Sequence, residues 1–281
     1  MDLRNSQHRF RLVLGFLFFI FCLCLIWINR ERFRLTLATA NYRSPDAHLA
    51  QTLNLEGKGY IIYDLHNQKI VRAENATSTF ALASLSKVII IGAYLDYKRS
   101  HNETIDQDGY AYIQKILVES DNEAIEDLNK RFEEKNSISL MVLTMQLGDR
   151  LGFPNELKFT NSSGLDIDEV QASNFGTPRA VAAVYGYLYK NYPEVFQKTK
   201  FDKSVSEGET LVNTNPTTEE TFGILSSKTG YTDVAGGNLA VTVTPAPGSE
   251  FLLVVFGSSK EGRFKDIQKL NTILPIILKI Q

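Results

Sequence analysis

Short apolar, strand-like segments lie at both ends of this chain, and a long segment with helical spacing separates them. Near the start, residues 59–73 read as a β-hairpin whose turn spans residues 64–68. Toward the end, apolar runs at 223–229, 238–244 and 250–256 predict three more strands. This order predicts an α+β fold, in which an antiparallel sheet is flanked by helices and carries an inserted all-helical region.

The middle of the chain and its end have the spacing of amphipathic helices. Thr177 followed by Pro178 is a typical helix start, because threonine caps the helix and proline fits its first position. Pro275 predicts a kink in the closing helix. The predicted helical segments are residues 84–98, 109–136 on both sides of Ser120, 137–151, 178–191 and 265–280.

Leu12–Ile28 is a run of 17 residues without a charge, at the short end of what spans a bilayer. Arginines flank it on both sides and can reach the two membrane interfaces. They are Arg9, Arg11, Arg30, Arg32 and Arg34. We therefore predict a short cytoplasmic segment at 1–11, a transmembrane anchor at 12–28, a linker at 29–55 and a catalytic domain at 56–281.

Two other interpretations of the apolar run remain open. A removed signal peptide needs small residues directly after the run, but the small residues at Ala38–Ala40 lie about ten positions further along. A buried core helix would have a polar face on at least part of its surface, and this run has none. Both features favour the membrane anchor.

Composition excludes several classes of function. The net charge of −2 argues against a nucleic-acid-binding protein. The histidines have no metal-ligand spacing, which argues against a zinc site and a serine–histidine–aspartate triad. Those histidines are His8, His48, His66 and His101. Cys22 and Cys24 both lie within the apolar run, so the rest of the chain has neither a disulfide framework nor a cysteine nucleophile.

Ser84–Lys87 is the only Ser-x-x-Lys string in the chain. On a helix, residues three positions apart share a face, so both side chains can point to one spot. A serine hydroxyl becomes a good nucleophile when a neighbouring base takes its proton. Lysine is such a base only as the free amine, which requires burial or nearby positive charge. Apolar residues at 80–82 and 88–90, together with the helix N-terminus, predict both conditions.

Two further strings supply polar groups that fit the same chemistry. In Ser120–Asn122, the hydroxyl of Ser120 can relay a proton to a leaving amine, and the Asn122 amide can hold both a lysine and a substrate. In Lys228–Gly230, Lys228 and Thr229 can bind a carboxylate, and Gly230 leaves room for a ligand along the strand edge. The backbone N–H of Tyr231 can complete an oxyanion hole with that of Ser84.

Each string alone is typical of an ordinary helix cap, polar turn or strand end. The three in this order are very improbable by chance, and they indicate a serine acyl-transferase whose base is lysine. With their neighbours, the strings resemble those of D-alanyl-D-alanine carboxypeptidases, which are low-molecular-mass penicillin-binding proteins. Residues 161–166 resemble a family loop near the active site, and residues 213–215 resemble the stretch before the third string.

The resemblance implies a β-lactamase/transpeptidase-like fold and a serine acyl-enzyme mechanism without metal or other cofactor. Ser84 is then the nucleophile, Lys87 the base, Ser120 and Asn122 the proton and substrate groups, and residues 228–231 the substrate-binding strand. The implied substrates are peptidoglycan stem peptides ending in D-alanyl-D-alanine, with β-lactams as covalent inhibitors. The implied location is the bacterial cell membrane, in a single pass, with the catalytic domain on the outer face.

Two rival functions use the same scaffold. A class A-like β-lactamase also needs a glutamate that activates the deacylating water, and Glu156 lies in the right interval but without that family's surrounding pattern. A non-catalytic peptidoglycan-binding protein is suggested by the spacing from Ser84 to Ser120, which is shorter than expected of the family. The complete set of reactive side chains favours the enzyme.

Overall fold

The computed structural model describes residues 53–105 and 107–280. The predicted segments 1–11 and 12–28, and nearly all of the linker, lie outside these residues. Within the described part of the chain, no helix combines the length and the apolar character that crossing a membrane requires.

A five-stranded antiparallel sheet in the order β2-β1-β10-β9-β8 forms the centre of the described domain. Two smaller sheets accompany it, β3-β5-β4 and β6-β7. The strands are β1 (Gly59–Asp64), β2 (Lys69–Glu74), β3 (Phe80–Ala81), β4 (Leu157–Lys158), β5 (Phe175–Gly176), β6 (Lys203–Ser206), β7 (Glu209–Val212), β8 (Ile224–Thr232), β9 (Gly236–Ala246) and β10 (Ser249–Ser258). Strand β8 therefore lies at one edge of the main sheet, with β9 as its neighbour.

Helices cover both faces of the main sheet. The helices of the described residues are α1 (Ser86–Ser100), α2 (Gln107–Val118), α3 (Asn122–Asn136), α4 (Leu140–Arg150), α5 (Pro178–Asn191) and α6 (Gly262–Ile280). Helix α6 packs on β9 and β10 from one side, whereas α5 packs on β1 and β10 from the other, with α1 next to it. The described residues thus have a helix–sheet–helix arrangement.

Strand β1 shows why the central strands are apolar without interruption. Ile61 and Tyr63 belong to the core on the side of α1 and α5, while Tyr60 and Ile62 belong to the core on the side of α6. Alternate side chains of a strand point to opposite faces, so a strand between two helical layers buries every side chain. The apolar run in the sequence reflects this double burial.

The predicted α+β architecture is confirmed, and most differences concern element ends. Helix α5 starts at Pro178 with the Thr177 side chain as its cap, as predicted. The closing helix begins at Gly262 instead of residue 265, and Pro275 lies inside it. The hairpin of β6 and β7 was not predicted, because its valines Val205 and Val212 are exposed and leave no alternating pattern.

The predicted helix at 84–98 was wrong in its first turn. Ala83–Leu85 form a separate 3₁₀ turn, and the α-helix begins only at Ser86. Ala83 has a φ of +47°, a left-handed conformation that an α-helix does not contain. Ser84 therefore lies just before α1, and Lys87 lies in its first turn.

Candidate active site

Ser84 and Lys87 contact each other across the junction between the 3₁₀ turn and α1. The Nζ atom of Lys87 lies 2.8 Å from the Oγ atom of Ser84. Lys87 is 0% exposed, whereas Ser84 is partly exposed. The hydroxyl is therefore accessible to a ligand, while the amine next to it is shielded from water.

Lys87 has three oxygen neighbours at hydrogen-bond distance. They are Ser84 Oγ at 2.8 Å, Asn122 Oδ1 at 2.6 Å and the backbone carbonyl of Ser163 at 2.6 Å. An uncharged amine has two N–H donors and one lone pair. It can donate to Asn122 and Ser163, which leaves its lone pair facing the Ser84 hydroxyl. The geometry thus suits a proton acceptor beside Ser84.

The environment of Lys87 also favours the uncharged form. Burial lowers the pKa of Lys87 from 10.5 to about 7, although the negative charges of Asp121 and Glu126 act in the opposite direction. Desolvation penalises the charged form of a lysine, and here it outweighs the two carboxylates. The ammonium therefore loses its proton near neutral pH, as a general base requires.

A buried hydrogen-bond network holds the turn that carries Ser84. The Ser86 hydroxyl donates to the Ala83 carbonyl at 2.7 Å. Asn174, which is also buried, donates from Nδ2 to Ser86 Oγ at 3.1 Å and to the Asn161 carbonyl at 2.9 Å. The network connects this turn to the loop that supplies the Ser163 carbonyl. Strained backbone such as that of Ala83 persists only where the surrounding structure fixes it.

The loop between α2 and α3 brings Ser120 and Asn122 to the same place. Ser120 has a φ of +60°, and Asp121 caps α3 by accepting a hydrogen bond from the Ala124 N–H at 2.9 Å. Asn122 is the first residue of α3 and contacts Lys87, as described above. The Ser120 hydroxyl instead accepts a hydrogen bond from Lys228 Nζ at 2.8 Å.

Lys228 on β8 joins the second string to the third. It is 2% exposed, and its Nζ atom also lies 2.9 Å from the Thr229 carbonyl. Burial lowers its pKa well below the usual value, and the positive charges of Lys87 and Arg263 lower it further. The adjacent Thr229 hydroxyl lies 2.6 Å from that of Thr214. The two hydroxyls form a polar patch beside Lys228.

Gly230 packs closely against the turn that carries Ser84. A Cβ atom at this position would lie 2.6 Å from the Leu82 carbonyl oxygen and 2.7 Å from the Leu85 nitrogen. The position that a side chain would take at residue 230 is therefore occupied by the turn that carries Ser84. Glycine allows this turn to approach β8 closely, which brings the first and third strings together.

The structure thus brings all eight predicted site residues into one region at the edge of the main sheet. Ser84, Lys87 and Asn122 are linked by hydrogen bonds, and so are Ser120 and Lys228. Thr229, Gly230 and Tyr231 follow Lys228 on β8. Sequence analysis placed Ser163 and Thr214 in segments that resemble family elements but gave neither residue a role, and it missed Asn174, which carries no nucleophile or charge to single it out.

Glu156 has no hydrogen bond to the catalytic candidates among the described contacts, and it binds residues at the start of α5 instead. Its carboxylate accepts hydrogen bonds from the Thr177 hydroxyl at 2.6 Å and from Arg179 Nε at 2.8 Å. Both partners belong to the start of α5, so these contacts anchor that helix end. A glutamate engaged in this way is a poor candidate for activating a water beside Ser84.

Among the residues that the structure describes, no group of three or more histidine, cysteine or acidic side chains could hold a metal ion.

Comparison with solved structures shows that the fold is shared with penicillin-binding proteins. Penicillin-binding protein D2 from Listeria monocytogenes, in its ampicillin-bound form, is 23% identical with a TM-score of 0.68, over 78% of this chain and 97% of that chain. PBP3 from Streptococcus pneumoniae is 22% identical with a TM-score of 0.67, over 79% and 80% respectively. The carboxypeptidase DacD from Francisella tularensis is 19% identical with a TM-score of 0.66, over 78% and 70%.

Sequence comparison identifies the family. No curated protein sequence matches the chain significantly. A family model of D-alanyl-D-alanine carboxypeptidases, however, matches residues 111–260, which is more than half of the 281 residues. The matched range contains Ser120–Asn122 and Lys228–Gly230, and it begins after Ser84 and Lys87. The chain therefore belongs to the D-alanyl-D-alanine carboxypeptidase family of serine hydrolases.

Proposed function

We propose that this protein is a membrane-anchored penicillin-binding protein that removes the terminal D-alanine from peptidoglycan stem peptides through an acyl-enzyme on Ser84. The observation that carries this proposal is the contact of the shielded Lys87 amine with the Ser84 hydroxyl at 2.8 Å. A neutral amine in that position activates the hydroxyl as a nucleophile.

In the proposed reaction, Ser84 Oγ attacks the carbonyl carbon of the last peptide bond while Lys87 takes the hydroxyl proton. The backbone N–H groups of Ser84 and Tyr231 stabilise the negative oxygen of the tetrahedral intermediate. The C–N bond then breaks, and the leaving D-alanine amine receives a proton through Ser120. Water hydrolyses the acyl-enzyme, giving its hydroxyl to the acyl carbon and returning a proton to Ser84 Oγ.

The terminal carboxylate of the substrate is proposed to bind beside β8. The Thr229 hydroxyl can donate to a carboxylate, and Thr214 lies 2.6 Å away to support it. Lys228 is buried, and its Nζ atom already contacts Ser120 Oγ and the Thr229 carbonyl, so we propose that it positions these two residues instead of binding the carboxylate directly. This arrangement favours peptides with a free C-terminus.

Covalent labelling with a fluorescent penicillin tests the proposed acyl-enzyme. We expect one label per molecule in the wild-type protein and none in Ser84→Ala, because no other hydroxyl contacts Lys87 in the described residues. Ser78→Ala is a matched control at an exposed serine and should label fully. Intact-protein mass spectrometry measures the adduct, and D-alanine release from an acyl-D-alanyl-D-alanine peptide measures hydrolysis.

The same experiment separates the rival functions. A carboxypeptidase should retain the penicillin adduct for a long time and release D-alanine, whereas a β-lactamase should hydrolyse penicillin rapidly. A wild-type protein that neither labels nor releases D-alanine would be a binding protein, and the proposed enzyme would be wrong. Labelling that persists in Ser84→Ala would show that another residue is the nucleophile.

Membrane anchoring through residues 12–28 is proposed from the sequence alone. We expect the full chain to sediment with bacterial membranes, to resist a carbonate wash and to be released by detergent. Phe18→Arg combined with Ile20→Arg should move it to the soluble fraction, because each buried arginine costs about 2.5–3.5 kcal/mol of insertion. Protease added to spheroplasts should degrade the catalytic domain if it lies on the outer face. Release of the wild-type chain by carbonate would contradict the anchor.

A further inference from the structure

Arg263 at the start of α6 reaches back to the backbone of β8. Its side chain is 6% exposed, and Nη1 donates a hydrogen bond of 2.8 Å to the carbonyl of Gly230. The contact joins α6, on one face of the sheet, to the strand that carries all four predicted substrate-binding residues. The mechanism described above gives Arg263 no role.

The Gly230 carbonyl and the Tyr231 N–H are two ends of the same peptide group. In a trans peptide these two bonds point in opposite directions. A guanidinium that fixes the carbonyl on one side therefore fixes the direction of the N–H on the other side. Leu82 and Leu85 from the turn of Ser84 lie against Gly230 on this strand. The N–H held in this way is the proposed second donor of the oxyanion hole.

We propose that Arg263 is a positioning residue, which holds and polarises the 230–231 peptide so that the Tyr231 N–H binds the developing oxyanion. This inference rests on the proposed acyl-enzyme mechanism. A hydrogen bond from a charged donor to a carbonyl polarises the peptide group, which makes its N–H a stronger donor. Arg263 would thus act both on the direction of the N–H and on its strength.

The surroundings of Arg263 hold its guanidinium in place. The guanidinium carbon lies 4.7 Å from the centre of the Phe264 ring and 5.8 Å from that of Tyr231, distances typical of cation–π contacts. A Cβ atom at Gly237 on β9 would lie 3.2 Å from Arg263 Cδ, so the glycine provides room for the side chain. A buried and laterally packed guanidinium is rigid enough to define the plane of a peptide.

The test compares acylation by a penicillin with acylation by its thiono analogue, in which sulfur replaces the β-lactam carbonyl oxygen. An oxyanion hole stabilises a small, strongly accepting oxygen and gains little from sulfur. We expect Arg263→Met to slow acylation by the penicillin by about 10- to 100-fold, which is less than the loss of a whole donor. Acylation by the thiono analogue should change much less, so the ratio of the two rates should fall.

Two further variants distinguish positioning from a structural role. Arg263→Lys keeps a charged donor and should restore part of the ratio of the two acylation rates. If Arg263→Met does not fold, Arg263→Lys takes its place in the test. Arg72 is another buried arginine, which lies on β2 at the opposite edge of the sheet and donates to the hydroxyl of Tyr60 on the neighbouring β1 at 3.0 Å. Arg72→Met should lower the melting temperature without changing the ratio.

The possible results separate the inference from the proposed function. A wild-type protein that no penicillin acylates would overturn the acyl-enzyme mechanism, and the role of Arg263 with it. A wild-type protein that is acylated, beside a folded Arg263→Met or Arg263→Lys with the wild-type ratio, would overturn only the role of Arg263. An equal fall of the ratio in Arg72→Met would show a general effect of stability and would also overturn it.

Discussion

Replacing Lys87 with methionine should slow the acylation of Ser84 by a penicillin by about a thousand-fold while the protein remains folded. Methionine has a similar length and no basic group, so it removes the proton acceptor that lies 2.8 Å from Ser84 Oγ. Stopped-flow or gel-based labelling measures the acylation rate, and near- and far-ultraviolet circular dichroism measures folding. Wild-type acylation in this variant would show that another group takes the proton.

The wild-type pH profile provides an independent test of the same role. Because the pKa of Lys87 is lowered to about 7, the amine is mainly free above this pH and protonated below it. The acylation rate should therefore fall about ten-fold for each pH unit below 7 and level off above 7. The rates should be measured in buffers of constant ionic strength. A rate that stays constant from pH 5 to pH 8 would contradict a lysine base.

The same lowered pKa should also be visible in the stability of the protein. Between about 7 and the ordinary value of 10.5, the unfolded chain holds a proton on Lys87 that the folded protein does not hold. The stability of the wild-type protein should therefore fall as the pH is lowered through this window. Lys87→Met has no such proton, so its unfolding free energy relative to wild type should increase from pH 10 to pH 7. Urea titrations of both proteins at pH 7 and at pH 10 measure the difference in unfolding free energy.

Sequence signals of local origin located most of the fold. Thr177 and Pro178 marked the start of α5 because capping depends on neighbouring residues only. The apolar runs marked the central strands because burial on both faces leaves a continuous pattern. The start of the predicted helix at 84–98 was wrong, because Ala83–Leu85 form a separate turn whose left-handed residue Ala83 packs against a distant loop at Gly164.

The candidate site likewise contains residues that the sequence identifies and residues that it does not. Serine, lysine and asparagine side chains could be singled out because their chemistry is specific and their strings are ordered. The loop at 161–166 was recognised by its resemblance, but the contact of the Ser163 carbonyl with Lys87, 76 positions away, could not be predicted, because every residue has a carbonyl. Arg263 is 33 positions from Gly230 and resembles any other arginine in the sequence. Such long-range partners follow from the packing of α6 and the loops, which no local pattern specifies.

Replacing Gly164 with alanine should destabilise the protein by about 3 kcal/mol or more and impair the site as well. Gly164 is buried with a φ of +76°, where a side chain is strained whatever the space. An added Cβ would overlap the Ala83 carbonyl and lie 2.7 Å from Ser86 Oγ. Both groups belong to the network that holds Ser84, so relief of the overlap must move the nucleophile or the Ser163 carbonyl.

Gly208 in the β6–β7 turn is the matched control for this prediction. Its φ is +81°, and nothing lies within 4 Å of an added Cβ, so Gly208→Ala carries the backbone strain without the overlap. We expect it to cost about 1 kcal/mol and to leave acylation unchanged. For Gly164→Ala we expect acylation to slow by about 100-fold, since a displacement of about 1 Å is enough for such a loss. Equal unfolding free energies in urea for the two variants, with equal acylation rates, would mean that the loop does not hold the Ser84 turn.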